Sequence, residues 1–216
     1  MINTVIFDMD GLMFDTEKLF IDVFEDVCHK NECSFPRELL YTMLGTSGFD
    51  CSIYEKEYPW LQSMLNKADA EFDTYFDTRF SMPGSANKYG LNELYDYLKK
   101  NNYRICIASS SSLPHIKRLV NHCGFVFDAD VIVSSKNVYP SKPAPDIFLA
   151  CAQSLEINAN QCLVLEDSKN GIRAAYNAGM RSVWIPDQVV FNEEDMKYVD
   201  FECANLLGVI GVLEAM

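Results

Sequence analysis

The chain has 216 residues, 49% of them hydrophobic and 23% charged, with a formal net charge of −13 at pH 7. That balance suits a globular protein with a sizeable core and excludes a disordered tail. The negative charge repels a phosphate backbone, which argues against nucleic acid as a partner.

No apolar run approaches the roughly 18–20 residues of a membrane span. The N-terminus has no basic segment leading into an apolar signal core. Eight cysteines without a CxxC pair read as reduced core thiols. A cytoplasmic protein without membrane contact is expected, and a monomer suffices.

The first element is the run Thr4 to Asp8, TVIFD, an apolar strand that closes on Asp8 and, two residues on, Asp10. From about Asp15 to Arg79 the chain is rich in helix formers and aromatics, as in LFIDVFEDVCHKN and ADAEFDTYFDTRF, with no convincing strand. SMPGSANKYG, with its Pro, two Gly and Ser residues, reads as a return linker. Strands then alternate with amphipathic helices: Leu91 to Asn101 helical, Arg104 to Ser109 extended, Pro114 to Cys123 helical, Asp130 to Ser134 extended, Pro145 to Leu155 helical. The series ends with Gln161 to Glu166 extended, Gly171 to Ala178 helical and Arg181 to Ile185 extended. Such alternation predicts an α/β protein, a parallel sheet with helices on both faces.

Ligands of an open parallel sheet gather at the carboxyl ends of its strands. The first run closes on Asp8 and Asp10, the second on Ser109-Ser110-Ser111-Ser112, and the fourth on Glu166-Asp167-Ser168. Lys142, in SKPAPD, follows the third. Clustered carboxylates are tolerated when a cation joins them, and hard oxygen ligands suit Mg²⁺. Carboxylates, a hydroxyl and a lysine on one edge suit phosphoryl transfer. Asp8 is then placed to attack phosphorus, Asp10 to move the proton, and Lys142, Mg²⁺ and Ser109 to meet charge on the transferring group.

Each signal has a plainer reading. DxDG after an apolar run is often an Asx turn, four serines are often a loop and helix cap, Glu166-Asp167-Ser168 is a plausible N-cap, and a lysine before proline is ordinarily on the surface. The DxD start also resembles a calcium loop, but Leu12 and Met13 stand where that loop needs an acid and a glycine. What favours catalysis is their coincidence in order at successive strand ends.

DMDGLMFDTE, ASSS, SKPAPDIF and LEDSKNGIRAAYNAGM together resemble the four ordered motifs of the haloacid-dehalogenase-like hydrolases, in the branch of β-phosphoglucomutase and its phosphatase relatives. The resemblance spans nearly the whole chain and implies a Rossmann-like core, residues 1–14 and 81–216, with a small helical cap inserted at 15–80. It implies Asp8 as nucleophile and Asp10 as acid and base. Ser109, with Ser110 beside it, would bind phosphate, and Lys142 would orient the nucleophile. Mg²⁺ would be held by Asp8, the Asp10 backbone carbonyl and Asp167, with Glu166 as ligand or support.

Mutases of this branch carry a cap histidine where this chain has Phe20, and an arginine after a turn that here reads Gly45-Thr46-Ser47-Gly48. Lacking both, the chain is expected to be a Mg²⁺-dependent phosphatase for a small phosphorylated metabolite, a sugar phosphate foremost. A sugar phosphomutase and a non-catalytic metal-binding regulator are the alternatives.

Overall fold

The structure, a computed structural model, describes residues 1–41, 51–134 and 140–216. In chain order it has β1 (Thr4–Phe7), α1 (Thr16–Lys30), α2 (Arg37–Leu40), α3 (Leu61–Arg79), α4 (Leu91–Lys100), β2 (Arg104–Ser109), α5 (Leu113–Asn121) and β3 (Val131–Ser134). It continues with α6 (Asp146–Ser154), β4 (Cys162–Glu166), α7 (Lys169–Asn177), β5 (Arg181–Trp184), α8 (Glu193–Met196), β6 (Phe201–Glu202) and α9 (Val209–Glu214). The expected strands and core helices are present, with small shifts at their ends. The two-residue β6 and the short α8 and α9 were not expected, because none is long enough to show a period.

The sheet runs β3-β2-β1-β4-β5-β6, and every pairing is parallel. Alternation along each strand decides which layer a side chain meets. Val5 and Phe7 of β1, Ile105 and Ile107 of β2, and Leu163 and Leu165 of β4 point to one face, where α4, α5 and α9 cover them. Ile6, Cys106, Ala108 and Val164 point to the other, against α6 and α7. Both faces are dry, so the central strands are continuously apolar. The direction of strand addition reverses at β1: β2 and β3 lie on one side, β4 to β6 on the other. A crevice opens at such a reversal, at the carboxyl ends of β1 and its neighbours.

Between β1 and α4 the described chain is helical, and α1 packs along α3. Leu19, Val23, Phe24 and Val27 of α1 and Leu61, Met64, Ala68 and Phe72 of α3 are buried in one cluster. Exposed ion pairs such as Lys30–Asp26 and Arg79–Asp22 decorate this unit and contribute little. The Gly45–Gly48 turn lies outside the described residues. The chain enters and leaves the helical segment side by side: Asp15 N–H donates to Ala86 O at 2.9 Å and Lys88 N–H to Met13 O at 2.9 Å.

The eight cysteines are free thiols, as expected. No helix among the described residues is long and apolar enough to cross a membrane.

Phe76 of α3 reaches α5, its ring 5.0 Å from the His122 ring and 4.8 Å from the Arg118 guanidinium. It is essentially fully buried. Phe76→Ala is expected to cost about 3–5 kcal/mol, the usual penalty for emptying a buried aromatic site, measured by denaturant unfolding.

Candidate active site

Asp8 continues the β1 ladder, its N–H donating to Leu165 O at 3.0 Å, so its side chain projects from the sheet edge beside β4. The chain then turns tightly. Gly11 N–H donates to Phe14 O at 3.0 Å, and Gly11 sits at φ +82°, a conformation that favours glycine. The turn swings Asp10 toward β2, where Ser111 Oγ donates to Asp10 Oδ2 at 2.8 Å and Ser109 Oγ lies 3.5 Å from the same oxygen. Thr16 Oγ1 donates to Asp10 Oδ1 at 2.8 Å. Ser109 Oγ also accepts the Ser111 N–H at 3.0 Å, and Ser110 sits half-buried between them.

Lys142 arrives from the loop after β3 and is buried. Its ammonium contacts Asp8 Oδ1 and donates to Glu166 Oε1 at 2.6 Å. Glu166, fully buried at the end of β4, turns its other oxygen to Ser168, accepting from the backbone N–H at 3.1 Å and from Oγ at 2.9 Å. Ser168 in turn caps α7 by accepting the Gly171 N–H at 3.0 Å. The cap reading of Glu166-Asp167-Ser168 holds, and the same cap fixes the carboxylate that holds the lysine. Gly171 allows this, since a Cβ there would stand 1.8 Å from Glu166 Oε1.

Asp167, also buried, faces the same space, its backbone carbonyl accepting Trp184 Nε1–H at 3.2 Å. Asp8, Glu166 and Asp167 bring carboxylate oxygens within 4.8 Å of one another. Glu17 and Asp187, which sequence reasoning did not single out, form a second such group with Asp167. Thr16 and Ser111 were likewise missed as partners of Asp10. The TE of FDTE was the available signal, but two polar residues at a helix start look like any cap.

Burial drives the electrostatics. It pushes Asp8 up to about 7, Lys142 pulling it down and Glu166 and Asp10 adding to the rise. Burial and the neighbouring acids also hold Glu17 and Asp167 well above the usual carboxylate range. Burial disfavours charge on Lys142, but Asp8 and Glu166 outweigh it and raise its pKa. Asp167 Oδ2 is buried with no hydrogen-bond partner. An all-oxygen cluster with an unpaired buried oxygen fits a hard divalent cation.

Asp8, Glu17 and Asp167 all have folded pKa values above their unfolded ones, so between about pH 4 and 7 the folded state binds more protons than the unfolded state. Their contribution to stability therefore falls as pH rises through that window, opposite to the usual paired carboxylate. In EDTA the melting temperature is expected to rise on going from about pH 7.5 to about pH 5.5, and excess Mg²⁺ should flatten the dependence. Thermal melts in matched buffers measure both.

A family model described as haloacid dehalogenase-like hydrolase matches residues 5–185. The chain is 31% identical to (DL)-glycerol-3-phosphatase 2 of Arabidopsis thaliana over 86% of its own length and 80% of that protein's. It is 27% identical to hexitol phosphatase B of Escherichia coli strain K12 over 95% and 93%. In fold it is similar to the crystal structure of β-phosphoglucomutase from Clostridium difficile, with a TM-score of 0.78 at 24% identity, covering 99% of this chain and 96% of that one. A match of this extent, on a parallel sheet whose strand ends bring those four motifs together, makes this chain a member of the haloacid dehalogenase-like hydrolases.

Proposed function

We propose that this protein is a Mg²⁺-dependent phosphatase that hydrolyses a small phosphorylated metabolite, a sugar or polyol phosphate, through an aspartyl phosphate on Asp8. The observation that carries this is the buried Lys142 ammonium held between Asp8 Oδ1 and Glu166 Oε1. A lysine so placed opposes the rise that burial imposes on Asp8 and fixes the position of its carboxylate. The names of the phosphatase relatives support the reaction class.

In the first step Asp8 Oδ2 forms a bond to phosphorus while the ester P–O bond breaks, and Asp10 gives its proton to the departing oxygen. In the second, Asp10 takes a proton from water, whose oxygen bonds phosphorus as the Asp8–phosphorus link breaks and phosphate leaves. Thr16 and Ser111 hold Asp10 between these roles. Ser109 Oγ accepts from Ser111 N–H and donates to Asp10 Oδ2 only at 3.5 Å, a weak contact that a phosphate oxygen can replace, and Ser110 is half-buried beside it. Asp8 and Asp167, with the Asp10 backbone carbonyl, would hold Mg²⁺, which would supply positive charge to the transferring group. Glu166 has one oxygen on Lys142 and the other on Ser168, so its part is to hold the lysine rather than to bind the ion.

Residues 15–80 act as a lid over a core of 1–14 and 81–216. The paired strands of chain at Asp15–Ala86 and Met13–Lys88 form a natural hinge. Phe20 packs against the apolar cluster and presents no cation for a second phosphate, which favours hydrolysis over phosphate shuttling.

Asp8→Asn is expected to fold yet lose at least three orders of magnitude in kcat, roughly the scale of losing a catalytic nucleophile, read as phosphate release from an aryl phosphate in Mg²⁺. Wild-type hydrolysis should stop in EDTA. Near-native turnover in Asp8→Asn removes it as nucleophile.

Asp10→Asn should impair sugar phosphates, whose leaving groups need the proton, by about 10²–10⁴-fold, and aryl phosphates less. Equal losses on both substrates would remove Asp10 as the acid.

A further inference from the structure

Glu17 and Asp187 take no part in the steps above, yet both are built into the site. Glu17, only 5% exposed, has its Oε2 buried without a hydrogen-bond partner. The Asp187 side chain is also buried: its Oδ1 accepts Lys88 Nζ at 2.6 Å and Gln188 Nε2 at 3.1 Å, while Oδ2 has no partner. Asp167 Oδ2 is unpartnered too, and these three residues place carboxylate oxygens within 4.8 Å of one another. Gly11 leaves the room, since a Cβ there would lie 2.3 Å from Asp167 Oδ2 and 3.1 Å from Glu17 Cδ.

Buried carboxylates facing one another cost several kcal/mol each unless donors reach them. Lys88 and Gln188 serve the far oxygen of Asp187, so the facing oxygens need donors from elsewhere. A hydrated cation brings them. Mg²⁺ is held by one or two carboxylates, gives up its remaining waters reluctantly, and each retained water offers two O–H donors.

We propose that Glu17 and Asp187 are positioning residues of the metal site, accepting hydrogen bonds from waters that stay on the Mg²⁺ bound at Asp8 and Asp167. The inference rests on the metal reading above. Outer carboxylates of this kind orient the shell and typically contribute about 10–100-fold in metal affinity. Their placement also favours a small, water-retaining ion over Ca²⁺, which takes more protein oxygens directly.

The test is calorimetric titration of Mg²⁺ into EDTA-treated, dialysed protein, for the wild type, Glu17→Gln and Asp187→Asn, with thermal melts of each in EDTA. One ion per wild-type chain is expected. Glu17→Gln should bind it at least about 10-fold more weakly, with the same stoichiometry. Its metal-free melting temperature should equal or exceed that of the wild type, because a buried repulsion is gone; weakened binding is then separated from misfolding. Asp187→Asn should weaken binding in the same direction. Unchanged affinity in Glu17→Gln overturns the proposal. So do two ions per wild-type chain with one lost in Glu17→Gln, since Glu17 would then be a direct ligand of a second ion. A wild-type chain that takes up no Mg²⁺ overturns the metal reading, and this inference with it.

Discussion

The buried ammonium of Lys142 is the contact on which the rest of the site depends. Removing one partner of a buried ion pair typically costs about 3–5 kcal/mol, because the other charge is left uncompensated. Lys142 has two such partners, Asp8 from β1 and Glu166 from β4, and so ties together the adjacent strands at the centre of the sheet. Its stem is sheltered by Phe148 of α6, whose ring lies 5.1 Å from the ammonium. Both partners stand on rigid supports. Asp8 extends a strand hydrogen-bonded on both sides, and Glu166 is fixed by the cap of α7. A carboxylate held in this way would pay little reorganisation in the nucleophilic role proposed for it.

Lys142 does not neutralise the site. Asp8, Glu166, Asp167 and Glu17 are all buried carboxylates, and Lys88 on the far side is already spent on Asp187 and Asp15. The surplus is why burial drives Asp8, Glu17 and Asp167 upward rather than leaving them as ordinary acids. A protein keeps such an arrangement when a cation relieves it, and a cation there is also what lets an anionic phosphate approach a site of net negative charge. The overall acidity of the chain and the acidity of this pocket thus have different meanings. The first acts on solubility and partners, whereas the second sets ion affinity.

Much of this was legible in the sequence because the chemistry sits where periodic elements end. TVIF, RICIAS and CLVLE are unmistakable buried strands, and each closes on or is followed at once by a candidate group, so the positions of Asp8, Ser109, Glu166 and Asp167 could be read off strand ends. The part of Glu166 was less legible. Whether it meets an ion or a lysine depends on which way two oxygens point, and Ser168 decides that through a cap that any helix could use. Glu17 and Asp187 lie in a helix start and a loop, where acids are common and carry no period. Their significance comes from burial, which brings residues 150 and more positions apart into contact, and burial of a carboxylate is not written in its neighbours. The short β6 and α9 were lost for a simpler reason, since elements of two and six residues show no periodicity.

The fold also separates the sheet that carries the candidate groups from the helical segment beside it. The groups proposed to do chemistry stand on β1, β2, β4 and the loop before α6, all packed between two dry layers. The helical segment joins that body at two adjacent chain crossings, linked by the backbone bonds of Asp15 to Ala86 and Lys88 to Met13, and along a side-chain seam where Phe76 of α3 packs on α5 and Arg118 pairs with Asp73 and Asp77. In the lid role proposed above, opening the crevice has to part this seam, while Asp8, Lys142 and Glu166 stay together at the sheet edge. Glu17 and Asp10 are the exceptions. Glu17 belongs to the first turn of α1, and Asp10 is held in part by Thr16 of the same turn, so both sit at the base of the helical segment while facing the carboxylates of the sheet edge. This one helical turn therefore ties the helical segment both to the acid cluster and to the hydrogen bonding of Asp10, so in the lid role proposed above closure would act on the proton donor and the metal shell together.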